Sequence, residues 1–347
     1  MDKITRIFID TSKSVFQLHG VNAAEAPVLR RKLRRSQMLE VFSKLEATVI
    51  GLEACGASHH WARALSALGH QVKLVPAQYV KAYVKRGKND AADAEAGCEA
   101  MSRPTMRFVP VKSADQQAAL MLLGVRERLI RTRTQLSNAI RGHAAEFGLV
   151  AAKGLCRIEP LLMRIAQDEE LPDLARDMFE SLRRQWERLA AEIKRLDAKL
   201  MAWHRTEATS RRLARIPAIG PVGASMLVLK APDPRAFKSA RHFAAWMGLT
   251  PKDHSTAGRQ RLGAITRAGD EALRSTLVVG ATALLQHLRK GRGPQSPWLL
   301  RLLAKKEPKE VAVALANKIA RIAWRMMISG EDYDPRRLMR DLPAEAA

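Results

Sequence analysis

Cysteine is scarce in this 347-residue chain and never occurs in closely spaced pairs. Cys55, Cys98 and Cys156 lie far apart, and there is no Cys-x-x-Cys motif. This spacing argues against a structural zinc site and favours a reducing compartment. Aromatic residues make up only 5% of the chain, whereas Ala, Leu and Arg are abundant, so we expect mostly helix after the first third.

Long hydrophobic runs are also missing. The longest apolar stretch, around 276–285, is too short to span a bilayer. The first residues carry the charges of Asp2, Lys3 and Arg6 without an apolar core, which argues against a cleavable signal peptide. Neither end carries a lipidation motif. We therefore expect a cytoplasmic protein that has no membrane partner.

Negatively charged residues are few relative to positively charged ones. Lys and Arg number 59 against 35 Asp and Glu, which gives a net charge of +24 and a pI near 10.6. This excess indicates a polyanionic partner, and nucleic acid is the leading candidate because basic clusters recur along the whole chain. The length of 347 residues and the 47% hydrophobic content predict two or three globular domains.

The first third of the chain alternates between strand and helix patterns. Apolar, β-branched runs predict strands at 4–10, 14–21, 28–33, 47–53 and 71–75, with helices beginning near Ser36 and Ser58. The first three strands are joined by short links, which predicts an antiparallel meander. Three antiparallel strands followed by α-β-α-β-α is the element order of the ribonuclease H-like (RuvC-like) fold.

Four acidic residues fall at the ends of these elements. Asp10 ends the first strand and Glu53 ends the fourth, while Asp90 and Asp93 open a later helix three residues apart and therefore share a face. Each acid taken singly is better explained as a cap or a surface residue. All four together, in this strand, strand, helix order, favour a site for a divalent cation.

A basic loop leads directly into the helix that carries Asp90 and Asp93. It contains Lys85, Arg86 and Lys88. A solvated loop is the plain explanation, but the position beside the acids favours contact with a phosphate.

From about residue 115 the pattern changes to long helices. One apolar seam alternates steps of three and four without a miss and consists of Phe179, Leu182, Trp186, Leu189, Ile193, Leu196 and Leu200. It predicts coiled-coil packing over about three heptads, either within one chain or with another copy. We expect residues 110–205 to form an antiparallel helical arm and a candidate oligomer interface.

The last third of the chain begins with a glycine-punctuated turn at 216–224. The pattern suits a helix-hairpin-helix-like turn in which Gly220 and Gly223 expose backbone N–H groups to a phosphate. An ordinary turn between two helices explains the same pattern about as well. The rest of this region is predicted to be mostly helical.

A polar, basic loop follows at 249–263. Ser255 stands in it near Arg259 and Arg261, and Arg267 follows shortly afterwards. A serine in a loop is usually only a loop residue, so on this pattern alone the case for catalysis is weak. Cationic neighbours would nevertheless stabilise a phosphate and favour an attacking alkoxide.

Together these motifs resemble one family, the DEDD transposases of bacterial insertion sequences, described as bridge-RNA-guided recombinases. The stretches I-D-T-S-K, G-L-E-A-C-G-A-S and K-N-D-A-A-D-A match its four-acid motif in order. The stretches F-A-A-W-M-G-L-T-P-K-D-H-S-T-A-G and R-L-G-A-I-T-R-A-G-D match its C-terminal transposase domain. The resemblance covers nearly the whole chain.

The resemblance implies roles for the residues singled out above. It implies that Asp10, Glu53, Asp90 and Asp93 bind Mg²⁺, with Mn²⁺ as an alternative, and that Ser255 is a nucleophile. Many relatives carry two serines at this point, and the second here is Thr256, so a threonine nucleophile stays open. The implied partners are donor and target DNA, a structured non-coding guide RNA, and further copies of the chain in a dimer or tetramer.

The expected activity is RNA-guided DNA recombination through a covalent phosphoserine intermediate. A Holliday-junction-type nuclease that uses the same acids with water is one alternative, and a non-catalytic nucleic-acid-binding scaffold is another. The expected fold class is α/β plus all-α. Its segments are a ribonuclease H-like domain at 1–109, the arm at 110–205, a transposase domain carrying the serine at 206–335, and a mobile tail at 336–347.

Overall fold

The computed structural model of the protein describes residues 3–84, 89–231, 233–256, 258–259, 261–292 and 296–339. It has the expected mixed α/β architecture, with a central sheet and many helices. The chain divides into two compact units, residues 1–117 and 118–347. Most of the predicted arm belongs to the second unit, and the predicted division into four segments stays a prediction.

The first unit is built on a five-stranded mixed sheet. Its strands are β1 (Arg6–Thr11), β2 (Val15–Val21), β3 (Pro27–Arg34), β4 (Val49–Glu53) and β5 (Gln71–Val75). The order across the sheet is β3-β2-β1-β4-β5. Strands β1, β2 and β3 pair antiparallel, whereas β4 runs parallel to both β1 and β5. The predicted antiparallel meander is therefore confirmed.

Residue types follow the position of each strand in the sheet. The central strand β1 buries Ile7, Phe8 and Ile9 almost completely, so both of its faces are covered. Strand β3 lies at the edge and is mostly exposed and basic. Positive charge on an edge strand discourages pairing with another sheet and leaves the cations available to a polyanion.

Helices cover both faces of the sheet. The first unit contains α1 (Met38–Ser43), α2 (Ser58–Ala67), α3 (Ala77–Val80) and α4 (Asp90–Ala100). On one face Ile7 and Ile9 pack in a cluster with Trp61 and Leu65 of α2. On the other face Phe8 packs with the alanines of α4.

Helix α4 lies close to the sheet because its inner face carries almost no side-chain volume. A Cβ atom on Gly97 would lie only 2.2 Å from the Phe8 ring. A Cβ atom on Gly51 of β4 would lie 2.7 Å from the same ring and 2.6 Å from the Met101 sulfur. Both glycines are therefore needed for the close approach that fixes α4 against β1 and β4.

The second unit is mostly helical, as predicted. Its helices are α5 (Ala114–Ala145, which begins in the first unit), α6 (Ile158–Gln167), α7 (Asp173–Thr206), α8 (Ala208–Leu213), α9 (Pro221–Lys230), α10 (Ala240–Trp246), α11 (Glu271–Arg289), α12 (Pro297–Leu303), α13 (Pro308–Ser329) and α14 (Arg336–Met339). Among the described residues, no helix has both the length and the apolar character needed to cross a membrane.

The predicted seam packs within the chain. Trp186 of α7 donates from its indole nitrogen to Ser137 Oγ of α5 at 3.2 Å, and Arg126 of α5 pairs with Asp197 of α7 at 2.5 Å. Since the position on α7 falls as the position on α5 rises, the two helices run antiparallel. Phe179 at the other end of the seam is buried in a cluster with residues of α5 and α6.

Two expectations for the second unit need correction. Residues 249–263, expected to be a loop, contain a two-stranded hairpin of β6 (Pro251–Asp253) and β7 (Leu262–Ile265). Residues 336–339, expected to be part of a mobile tail, form α14 with Leu338 fully buried. The Leu338 carbonyl accepts hydrogen bonds from Lys318 Nζ at 2.8 Å and Ser296 Oγ at 3.1 Å, which anchors the segment.

Candidate active site

Two of the predicted acids lie side by side at the ends of neighbouring parallel strands. Ile9 of β1 is in register with Leu52 of β4, so Asp10 and Glu53 are the next residues of the two strands. Both share the sheet face that α4 covers, since alternate residues of a strand point to the same side. Just beyond them, Thr11 Oγ1 and Cys55 Sγ are 3.2 Å apart and join the two strand ends.

The other two acids lie in the first turn of α4. Asn89 caps this helix by accepting a hydrogen bond on Oδ1 from the Ala92 backbone N–H at 2.8 Å. Asp90 is exposed and Asp93 is partly buried. The positive end of the helix dipole favours carboxylates at these positions.

Asp10 is affected electrostatically by all three of the other acids. Burial and, in that order of effect, the negative charges of Asp90, Asp93 and Glu53 together raise the pKa of Asp10 from 3.8 to about 6. The chain thus gathers four carboxylates from β1, β4 and α4 into one region in which ionising Asp10 is costly.

The chemistry of these donors suits a hard divalent cation, because carboxylate oxygens are the ligands that Mg²⁺ prefers. Among the described residues, however, no three His, Cys, Asp or Glu side chains stand as a ready set of ligands around one position. The carboxylates are within electrostatic reach of each other, and they have to draw together to share an ion.

Sequence reasoning missed Gln17, which lies opposite Asp10 in the β1–β2 ladder. Gln17 is only 8% exposed, and its Oε1 has no hydrogen-bond partner in the described part of the chain. A buried acceptor without a partner next to the carboxylates is suited to a water molecule or another donor held at the site. The alternation of β2 in the sequence places Gln17 on a face but does not show that it neighbours Asp10.

Ser255 lies in the connection between β6 and β7. It is exposed, and its Oγ accepts a hydrogen bond from the Arg261 backbone N–H at 3.0 Å. Asp253, the last residue of β6, was not recognised from the sequence. Its Oδ1 accepts from the Ser255 backbone N–H at 2.8 Å. Hydrogen bonding from the Ser255 side chain and backbone holds the pKa of Asp253 below its usual value.

The base of this hairpin is held by a buried cation that sequence reasoning also missed. Arg274 of α11 is 9% exposed and donates to the carbonyls of Met247 at 3.2 Å and Ala268 at 2.7 Å. These residues flank the hairpin on both sides, so one guanidinium fixes the two ends of the segment that carries Ser255. Gly248 has φ +71°, and a Cβ atom there would lie 2.3 Å from the Ala268 nitrogen.

Only some of the residues predicted to contact nucleic acid lie in the described part of the chain. Lys85, Arg86 and Lys88 lie outside the described residues. The predicted contacts of the hairpin region, Arg259, Arg261 and Arg267, are all exposed.

The two glycines of the predicted phosphate-binding turn differ in exposure. Gly220 is exposed at the N-cap of α9, where Pro221 follows as the first helical residue. Gly223 is buried in α9, where a Cβ atom would lie 3.4 Å from the Thr276 side chain. Helix packing thus encloses Gly223, and the phosphate contact of the two glycines stays a prediction.

Two parts of the chain match protein-family models. Residues 8–147 match a DEDD transposase domain of the IS110 type, and residues 210–294 match a domain described as the transposase IS116/IS110/IS902 family. The first match includes all four acids and the second includes Ser255. A DEDD transposase domain indicates a requirement for a divalent metal.

Whole-length relatives carry the same assignment. The chain is 67% identical over 334 residues to a Sinorhizobium fredii protein named as a transposase, covering 96% of this chain and 86% of the relative. It is 44% identical to a family 20 transposase of Pseudomonas aeruginosa, covering 96% and 99%. It is 34% identical to the transposase for insertion sequence element IS1111A of Coxiella burnetii, covering 96% and 92%. The protein therefore belongs to the IS110/IS116/IS902 family of insertion-sequence transposases, enzymes that cut and transfer DNA.

Proposed function

We propose that this transposase recombines DNA through a covalent phosphoserine intermediate at Ser255, with the acids Asp10, Glu53, Asp90 and Asp93 holding Mg²⁺ or Mn²⁺. The first unit would be a ribonuclease H-like (RuvC-like) domain, and the strand order β3-β2-β1-β4-β5 supports this. The observation that carries the proposal is the placement of Asp10 beside Glu53 by the register of β1 and β4, with Asp90 and Asp93 in the first turn of α4 adding to the charge that raises the pKa of Asp10.

The proposed role of the acids is to hold the divalent cations, which would in turn bind the scissile phosphate. Bound divalent cations would offset the repulsion among the carboxylates and stabilise negative charge on the phosphate in the transition state. Asp10 and Glu53 are placed by the rigid sheet, whereas Asp90 and Asp93 are placed by α4. The positions of Asp10 and Glu53 are therefore fixed by the sheet, whereas the positions of Asp90 and Asp93 depend on how α4 packs against it.

The role of Ser255 is nucleophilic attack. A bond forms between Ser255 Oγ and phosphorus as the bond from phosphorus to one deoxyribose oxygen breaks, and the released strand end keeps that oxygen as a hydroxyl. The Asp253 carboxylate accepts the serine proton, since it already lies within hydrogen-bonding reach of the side chain. The phosphoester conserves the bond energy, so attack by a DNA hydroxyl reseals the strand without ATP.

The nucleophile is tested by trapping the protein on a labelled DNA substrate and denaturing the complex. Ser255→Ala should abolish the DNA-linked protein, whereas Thr256→Ala, which removes the neighbouring hydroxyl, should retain it. Asp10→Asn or chelation of divalent metal should also abolish the adduct while leaving DNA binding intact.

The same experiment separates the proposal from its main alternative. Free cleaved ends without attached protein would identify a nuclease that uses water as the nucleophile. A DNA-linked protein in the Ser255→Ala variant would show that the nucleophile assignment is wrong, and its loss in Thr256→Ala would move the role to Thr256.

The guide RNA and the oligomeric state are further parts of the proposal. We propose that a structured non-coding RNA selects donor and target DNA by base pairing, that the enzyme acts as a dimer or tetramer in the cytoplasm at the nucleoid, and that the basic residues contact nucleic-acid backbones. Purification of the full chain with and without RNase treatment, followed by light scattering, measures both. Cleavage with unchanged site preference after complete RNA removal would contradict the guide.

A further inference from the structure

The first unit contains a pocket that is lined neither by the four acids nor by residues of the β6–β7 hairpin. Its volume is about 670 Å³. It lies where β1 leads into β2 and where β3 ends, since Val15 of β2 pairs with Arg34 of β3. Its lining includes Lys13, Val15, Arg34, Arg35, Leu39 and Trp61.

Three cations line this pocket without a carboxylate partner in the described part of the chain. The side chains of Lys13, Arg34 and Arg35 are exposed, and none of them forms an ion pair with a described Asp or Glu. Many other cations of the chain, such as Lys3 and Lys44, do pair with a neighbouring acid. Three positive charges around one cavity, none of them paired with a described carboxylate, indicate an anionic ligand.

Arg35 is held in place by aromatic rings. Its guanidinium carbon lies 5.1 Å from the centroid of Trp61 and 6.0 Å from that of Phe16, and the two rings pack edge to face at 5.2 Å. The Arg35 backbone N–H donates to the Ser14 carbonyl at 2.8 Å. A fixed, exposed guanidinium plane is a surface on which an unpaired base stacks.

Part of the remaining wall is apolar, beside the polar residues Ser14, Ser36 and His60. Val15 is 45% exposed and Leu39 is 47% exposed, whereas Trp61 is only 4% exposed. The Trp61 Nε1 is buried and has no hydrogen-bond partner among the described residues. An inorganic phosphate would make no favourable contact with the apolar side chains, and an apolar ligand would make none with the three cations. A nucleotide presents both kinds of surface.

We propose that this pocket binds one unpaired nucleotide, with its base against Arg35 and Leu39 and its phosphate against Lys13 and Arg34. The Cα atoms of Lys13 and Asp10 are three residues apart and therefore within about 11 Å of each other. The bound nucleotide would lie near the β1–β2 turn that follows Asp10, beside Trp61 of the cluster on the α2 side of the sheet. The inference rests on the DNA-handling activity of the family and is independent of Ser255 and of a guide RNA.

Binding of short single-stranded oligonucleotides by the full-length protein tests the pocket. The double variant Lys13→Ala/Arg34→Ala and the single variant Leu39→Glu should each weaken binding about 10-fold or more, the scale of losing one stacked base. The matched control is Lys3→Ala/Lys44→Ala, which removes the same charge from exposed positions of the same unit and should change binding by less than about 2-fold. Equal losses in the control and the pocket variants would overturn the proposal.

Three comparisons refine the result. An RNA and a DNA oligonucleotide of the same sequence identify which strand supplies the nucleotide, and a loss in either one supports the pocket. A blunt duplex of that sequence should be insensitive to Leu39→Glu because a paired base cannot enter, so an equal loss on duplex would contradict the proposal. A photoreactive thio-base placed in the oligonucleotide should cross-link to the peptide containing residues 35–39 or to Trp61, and cross-links only elsewhere would also contradict it.

Discussion

Asp10 sits at the end of a strand whose three preceding residues are buried, and this position accounts for its chemistry. Burial and the three neighbouring acids raise the pKa of Asp10 to about 6 from 3.8. The folded protein therefore holds a proton that the unfolded chain has already released over this pH range. The metal-free fold loses stability as the pH rises from about 4 to about 6, and the loss is complete above that range.

Asp10→Asn should make the metal-free protein more stable at pH 7.5, because the amide does not ionise among the acids. We expect a gain of the order of 1 kcal/mol, or about 2–4 °C in the unfolding midpoint, that vanishes near pH 4. Mg²⁺ should raise the midpoint of the wild type at pH 7.5 and have little effect on the variant. A lower midpoint for Asp10→Asn in chelator would contradict the charge convergence.

Asp253 is predicted to position Ser255 and accept its proton. Asp253→Asn keeps an oxygen that accepts from the Ser255 backbone but removes the charge, so adduct formation should slow by about 10²–10⁴-fold while DNA affinity stays unchanged. The rate of adduct formation against pH is the measurement, since loss of a base flattens the acidic limb of the profile.

Asp233 supplies a matched control for this substitution. Its Oδ1 accepts from the Arg235 backbone N–H at 2.9 Å, the same two-residue turn that Asp253 makes with Ser255. Asp233→Asn should leave adduct formation unchanged. If both variants slow adduct formation equally, Asp253 does not act as the proton acceptor and serves only to form the turn.

At the scale of elements, α4 determines whether the four acids meet. Its small residues allow the helix to pack on β1 and β4, and Asn89 sets the turn from which Asp90 and Asp93 project. Because the placement depends on backbone approach, a single added methyl group on the inner face should displace both acids.

Gly97→Ala should destabilise the protein by about 1–3 kcal/mol and impair cleavage, because the new Cβ would lie 2.2 Å from the Phe8 ring. Gly124→Ala in the exposed part of α5 is the control, since nothing lies within 4 Å of its added Cβ. That change should stabilise the helix by about 0.5–1 kcal/mol. Thermal unfolding and Mg²⁺-dependent cleavage are the measurements, and equal effects of the two changes would refute the role of close packing.

The elements that the sequence did not predict are those that depend on tertiary contacts. The alternation of 249–263 is interrupted by glycine and charge, so the sequence did not predict the β6–β7 hairpin. Arg274 holds the two ends of this segment by donating to carbonyls on both sides of it. The last residues read as a polar tail, yet Leu338 finds a buried site between Lys318 and Ser296. In both cases the partner lies more than five residues away along the chain.

At the scale of the whole molecule, the net charge of +24 should dominate binding to nucleic acid. The observed affinity for DNA should fall on the order of 10³-fold between 50 and 200 mM salt, as for proteins that contact several phosphates. Fluorescence anisotropy over a salt series measures this. A fall of less than about 10-fold would mean that few of the cations contact the backbone.

The local pattern of the sequence alone determined the strands of the first unit, the long helices of the second, and the four acids as candidates, whereas the role of the serine came from the family resemblance. These features follow from hydrophobic periodicity and from residue types at element ends, which are properties of short stretches. Only the tertiary structure decided that the seam of α7 packs on α5 of the same chain, that Gly97 brings the acid helix onto the sheet, and that Asp253, Gln17 and the pocket at Arg35 exist. Each of these depends on which distant residues come into contact, and contact between distant residues is set by packing that no short stretch encodes.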